Sequence, residues 1–174
     1  MTKQETPQVI GVRHVGLSAR DPAALAEFYR DVLGLQVVGG STADTSAFGA
    51  TAFLSSCPAE ESHDLALVAD PVFQHTAFKV RSLADLRTLH QRVIGRGVPV
   101  KMALNHGASL AFYFNDPEGH LIEVYWPTGV AWRQPYVDPI DLTLSEEALR
   151  RSVAELAARA GAPSAADGAE PGQW

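Results

Sequence analysis

Two stretches of this chain repeat each other at a fixed distance, and no other feature restricts its fold so strongly. His14-Val-Gly-Leu-Ser-Ala-Arg-Asp-Pro-Ala-Ala-Leu25 aligns without a gap on His75-Thr-Ala-Phe-Lys-Val-Arg-Ser-Leu-Ala-Asp-Leu86, an offset of 61 residues. His14/His75, Arg20/Arg81, Ala23/Ala84 and Leu25/Leu86 are identical; with Val32/Val93, Gly34/Gly95 and Val37/Val98 this makes seven identities in 24 positions. A sequence period of this size marks one supersecondary unit used twice.

Each copy reads the same way. Val12 to Ser18 and Phe73 to Val80 alternate as strands do. Helix starts follow at Asp21-Pro22 and at Ser82. Leu25, Phe28, Tyr29, Val32 and Leu33 fall on one helical face, as do Leu86, Leu89, Val93 and Ile94, which predicts that these faces are buried. Gly34 and Gly95 read as C-terminal caps. Strands are then expected over Leu35–Val38, Ala47–Leu54 and Asp64–Val68 in the first copy, and over Val98–Leu104, Ser109–Phe114 and His120–Trp126 in the second. The unit is β-α-β-β-β twice, an α+β chain with one domain over 1–127 (module one about 10–70, module two about 72–127). Residues 128–161 read as an arm and a helix, with Ser145 as its capping residue. The Ala/Gly/Pro-rich stretch 162–174 reads as a disordered tail.

Bulk composition removes several function classes. Hydrophobic residues make up 46% of 174, enough for a core. A net charge of −6 and the lack of any Lys/Arg run argue against a nucleic-acid surface. No apolar run approaches the roughly 18 residues of a membrane span. The polar start, Met1 to Gln8, lacks the apolar core of a signal peptide, and the single Cys57 fits a reducing cytoplasm. Cys57, beside Pro58 and without a resolving thiol, reads as structural.

Ala111 to Trp126 reads as strand, tight turn, strand, with Asp116-Pro-Glu-Gly119 as the turn. Glu123 stands out in its second strand, between Ile122 and Val124. An unpaired buried carboxylate is expensive, so Glu123 either faces water or meets a cation.

Two β-α-β-β-β units with His14 in the first strand, Phe28-Tyr-Arg-Asp-Val-Leu-Gly-Leu35 around the first helix end, and Asp116-Pro-Glu-Gly-His-Leu-Ile-Glu123 near the close resemble the vicinal-oxygen-chelate superfamily. The resemblance covers about residues 10 to 127. It implies that two curled-sheet units form a metal-binding cup, with ligands His14, His75 and Glu123. Two imidazoles and a carboxylate leave open coordination positions, the set typical of non-haem Fe(II) oxygen chemistry. The plain alternative makes both histidines satisfied sheet residues and Glu123 a solvated one.

Superfamily isomerases usually add a fourth ligand on the last strand of copy one. Aligning His63-Asp-Leu-Ala66 with His120-Leu-Ile-Glu123 puts Ala66 there; Glu60 or Glu61 would substitute only with a register slip. The run His106, five residues, Phe112-Tyr113, two residues, Asp116-Pro-Glu-Gly119, three residues, Glu123 is similar to the signature of type I extradiol dioxygenases, departing from it at Leu104. That resemblance implies an acid–base role for His63, twelve residues before His75. It also implies a hydrogen bond from substrate to Tyr113 and a pocket-donor role for His106. Histidine titrates near neutrality and suits the proton transfers of catechol cleavage. His90 reads as a solvated helix residue and His120 as strand-end surface.

The implied function is Fe(II)-dependent extradiol cleavage of a catechol or 2,3-dihydroxybiphenyl-like diol with O2, Mn(II) being the alternative ion. The implied partners are that small aromatic diol and O2, with no nucleic acid or membrane, and a homo-oligomeric assembly. The pocket is expected along strand 109–114, covered by Val130 to Tyr136. Two alternatives stay open: a glyoxalase- or epimerase-type lyase or isomerase, and a non-catalytic drug-binding resistance protein.

Overall fold

The structure, a computed structural model, describes residues 9–45, 49–60 and 62–160. The expected tail 162–174 and Glu61 lie outside the described residues. Strands β1 (Val9–Ser18), β2 (Gln36–Ser41), β3 (Thr51–Ser55), β4 (Leu65–Val68), β5 (His75–Val80), β6 (Val100–Asn105), β7 (Ser109–Asn115), β8 (Leu121–Pro127) and β9 (Asp138–Pro139) form one sheet. Their order is β2-β3-β4-β1-β5-β8-β7-β6-β9. Helices α1 (Pro22–Leu33) and α2 (Leu83–Gly95) link β1 to β2 and β5 to β6, and α3 (Glu146–Ala160) follows the arm. The repeat is visible in the pairing. β1 and β5 lie antiparallel at the centre; β1 takes β4 as a parallel neighbour and β5 takes β8. The whole is the curled mixed sheet of the vicinal-oxygen-chelate fold.

Strand alternation divides the curled sheet into two faces. Outward residues Leu54, Leu65 and Leu67 pack with Ala26 of α1. Outward Leu110, Phe112 and Val124 pack with Leu83 and Leu86 of α2 and with Leu142, Leu149 and Val153 from beyond the second unit. Each buried Leu, Val or Phe among these stabilises the fold by about 1.5–3 kcal/mol. The C-terminal helix therefore rests on its own chain, pinned also by Arg150 stacked 5.2 Å over Trp126. Inward-facing Ala77, Ala111, Tyr113, Leu121 and Tyr125 line the concave side, with Met102 and Leu104 packed against them.

The start signals act as expected. Asp21 accepts from the Ala24 amide at 3.0 Å, Ser82 from Asp85 at 3.1 Å, and Ser145 from Ala148 at 3.1 Å. Five expectations need correction, one being Ile94 of α2, which is 49% exposed and not on the buried face. In α1, Leu25 and Tyr29 pack inward, but Phe28, Val32 and Leu33 are 54%, 61% and 63% exposed. The helix rests on the sheet through Pro22 and Ala26, whose small size lets the backbone approach and turns Phe28 and Val32 away. Gly95 stays helical; the left-handed residue is Gly97, with φ +74°. His90 is not solvated: it is 6% exposed, with its ring 5.2 Å from Phe112. Finally, the arm adds a ninth strand, pairing Asp138 and Pro139 with Asn105 and Leu104 at the β6 edge.

Candidate metal centre and its cavity

One row of residues crosses five neighbouring strands on the concave face. His14 pairs with Ala77, Ala77 with Glu123, Glu123 with Tyr113, and Tyr113 with Met102. His14 and Glu123 are thus two strands apart, about 9.6 Å at ordinary strand spacing. Ala77 between them is too small to keep them apart, and the sheet's curl tips both side chains over it. His14 Nε2 comes to 3.0 Å from Glu123 Oε2. His75, two residues before Ala77 on the same face, brings its Nε2 to 3.2 Å from Glu123 Oε2 and 3.2 Å from His14 Nε2. His14 and Glu123 are buried.

Gly16 makes room for this. It is the repeat mate of Ala77, and a β-carbon on it would collide with the His75 ring. The register also places Ala66. Gly16 pairs with Ala66 just as Ala77 pairs with Glu123. Ala66 therefore stands where the first unit's counterpart of Glu123 would be, and its methyl lines the cavity. Glu60 sits in an exposed turn away from that position.

The donor set suits a divalent ion. Donors about 2.1 Å from an ion and at right angles lie about 3.0 Å apart, close to the spacings above. His75 Nδ1 donates to the Phe73 carbonyl at 2.6 Å, which leaves its Nε2 lone pair directed at the other two donors. Burial by itself would keep Glu123 protonated, but the two imidazoles hold it well below the usual carboxylate range. Burial likewise opposes charge on His75; Glu123 and the Phe73 carbonyl outweigh it and raise its pKa.

The other expected site residues surround this cluster. His63, partly buried, sets its ring 4.3 Å from that of His14 and 5.0 Å from Phe53, with Nδ1 3.1 Å from Ser62 Oγ. Burial, and then the charge of His14, hold His63 well below the ordinary histidine value. His106 Nδ1 faces the Tyr136 carbonyl at 2.9 Å and must carry the proton there, because a carbonyl only accepts. Its Nε2 is then an acceptor, and the Tyr113 hydroxyl donates to it at 2.9 Å. Burial keeps His106 below its usual value, in keeping with this neutral form. Burial first, and then Glu123, push Tyr113 well above the usual phenol range. His120 lies apart from the cluster, paired with Asp116 at 2.9 Å in the exposed turn. There Asp116 also accepts from the Glu118 and His120 amides, at 3.0 and 2.9 Å, and Gly119 turns at φ +90°. Cys57 is exposed and away from the cluster.

Over the donors lies a cavity of about 110 Å³, partly open to solvent. The arm closes one side with Gln134, Pro135, Tyr136 and Val137. Gln134 Nε2 donates to the His106 carbonyl at 2.7 Å, and Thr128 Oγ1 to the Gly107 carbonyl at 2.6 Å. Trp132 packs so tightly on Gly107 that no side chain would fit there. From that anchor the arm also reaches β2, where a β-carbon on Gly39 would lie 3.2 Å from the Gln134 carbonyl. Sequence reasoning missed Ala77, Gly16 and Gln134. The first two had a signal: the repeat places a small residue two positions after each paired histidine. Gln134 had none.

The curled sheet, its repeat and its match to a known pattern define the class: this chain belongs to the Glyoxalase/Bleomycin resistance protein/Dioxygenase superfamily, which matches residues 11–124. Biphenyl-2,3-diol 1,2-dioxygenase 3 of Rhodococcus globerulus is 28% identical over 123 residues, or 64% of this chain and 60% of that protein. The Mn(II)-bound glyoxalase of Novosphingobium aromaticivorans is 27% identical, with a TM-score of 0.56 over 69% of this chain and 40% of its own. Homoprotocatechuate 2,3-dioxygenase of Brevibacterium fuscum shares the fold at 24% identity and a TM-score of 0.58, over 70% of this chain and 38% of its own. The chain thus spans 60% or less of the length of each of these relatives. Among the described residues, no helix is long and apolar enough to cross a membrane.

Proposed function

We propose that this chain is an extradiol dioxygenase that holds Fe(II) through His14, His75 and Glu123 and cleaves the ring of a catechol with O2. The observation that carries this reading is the three-donor triangle at 3.0–3.2 Å, with Ala66 rather than a fourth donor at the symmetric position. Three protein ligands leave places for a substrate that binds through two oxygens and for O2 beside it. The bound ion supplies the one-electron chemistry that lets ground-state O2 react with an aromatic ring. The chain's own groups bind, orient and move protons. A substrate hydroxyl donates to the Tyr113 oxygen, whose own proton points to His106 Nε2. The Tyr136 carbonyl keeps His106 in the tautomer that accepts this proton. His63, on the other side of His14, is held neutral by burial and can take up a substrate proton and return it.

One observation favours a second reading: the glyoxalase named above is 27% identical and carries Mn(II). Under that reading the chain turns over its substrate without consuming oxygen. The test is anaerobic loading with Fe(II), then addition of catechol or 2,3-dihydroxybiphenyl in air. Oxygen uptake with a yellow ring-cleavage product supports the dioxygenase. A fully iron-loaded sample that consumes no oxygen with either catechol refutes it.

A further inference from the structure

The cavity above the three donors holds four imidazoles but no aliphatic ammonium or guanidinium group among the described residues. Its sides include Phe53, Phe73, Met102, Leu104, Pro135 and Val137 beside the neutral polar groups of Thr51, Ser62, Ser109 and Gln134, and neither lysine nor arginine lines it among the described residues. Lys101 and Arg133, next in sequence to lining residues, are exposed and line no part of it. Among the described residues, the one carboxylate in the lining is Glu123. His106 has both ring nitrogens engaged, by Tyr136 and Tyr113, and offers no free donor.

From this wall we infer that the substrate is an uncharged catechol, bare or carrying alkyl or aryl substituents, and that catechols bearing a carboxylate are rejected. The inference rests on the ring-cleavage reading above. A diol seated at the donors directs its substituent at the apolar wall. A carboxylate there would give up its water with no cation to receive it, which is among the costliest burials in proteins. A hydrocarbon of the same shape gains from the same transfer. Specificity of this kind comes from leaving the wrong substrate unpaired as much as from contacts to the right one. Pro135 and Val137 of this wall belong to the arm, beyond the matched residues 11–124.

The test compares pairs in which a carboxylate replaces a terminal methyl group, 4-ethylcatechol with 3,4-dihydroxyphenylacetate and 3-ethylcatechol with 2,3-dihydroxyphenylacetate. Iron-loaded protein is titrated with each anaerobically by calorimetry, then assayed in air. The expected result is at least about 100-fold tighter binding and higher kcat/KM for the ethyl member of the better-used pair. Val137→Arg, at the exposed rim of the arm, is expected to narrow that difference by about tenfold, as a fixed cation gives the carboxylate a partner. Equal binding and turnover of both members would overturn the inference while leaving ring cleavage intact. Ring cleavage of none of the four would remove the underlying reading, and the inference with it.

Discussion

Gly16 on β1 and the imidazole of His75 on β5 occupy adjoining space, and a β-carbon at residue 16 would overlap the ring. The backbone at Gly16 is not left-handed, so the requirement is for volume and not for conformation. His75 has little freedom to yield, because its Nδ1 is held by the Phe73 carbonyl at 2.6 Å. Gly16→Ala should therefore displace His75 Nε2 from the other two donors. We expect metal affinity about 10–100-fold weaker and a stability loss of about 1–3 kcal/mol from overpacking. Metal titration alongside thermal unfolding checks both; unchanged affinity would mean that His75 is no ligand.

Ala66 and Glu123 occupy equivalent ladder positions, opposite Gly16 and Ala77. Ala66→Glu would put a second carboxylate, and a fourth donor, beside the same three. The expected outcome is a protein that keeps its metal but loses oxygen uptake by about 10²-fold or more, because the place needed by substrate or O2 is filled. Metal analysis and oxygen-electrode rates on one sample separate the two effects.

The hydrogen-bond order Tyr113, His106, Tyr136 carbonyl makes His106 an acceptor toward the cavity side. His106→Phe removes that acceptor and leaves the three donors alone. We expect kcat to fall by about 10²-fold or more, with metal content unchanged. Full turnover in this variant would remove His106 and the Tyr113 proton from the mechanism.

His90 offers a test far from the cluster. It is buried beside Phe112, its Nδ1 has no partner, and burial holds its pKa below the ordinary value while Asp141 opposes this. A histidine with a lowered folded-state pKa binds its proton more readily when unfolded. It therefore destabilises the fold as pH falls below about 6.5 and is neutral in effect above that. His90→Leu should gain stability relative to the native chain at pH 5.5 compared with pH 8, by at most about 1.4 kcal/mol per pH unit. Denaturant unfolding at the two pH values checks this; an identical difference at both would show that His90 does not titrate on unfolding.

Much of the architecture was legible because it is written twice. Alternation, helix caps and the offset of 61 residues give the two β-α-β-β-β units, and strand ends in the sheet differ from expectation by only a few residues. The equivalence of Ala66 and Glu123 was also readable, since it depends only on register within each unit. What failed was whatever depended on how closely one element approaches another. The apolar stripe of α1 cannot say which of its flanks meets the sheet, and Pro22 and Ala26 set the contact where Phe28 and Val32 look away. His90 looks polar in sequence, yet α2 lays it on Phe112.

The sequence alone determined the repeat, the α+β class and the residue types available to a metal, since these follow from side-chain period and local turn chemistry. Only the tertiary structure decided that His14 and Glu123, two strands apart, meet over a small Ala77. It alone decided that the arm fixes the His106 tautomer through a backbone carbonyl and closes the cavity with an uncharged wall. Curl, close approach and the path of an irregular segment arise from packing across the whole sheet, and no local run of residues encodes them.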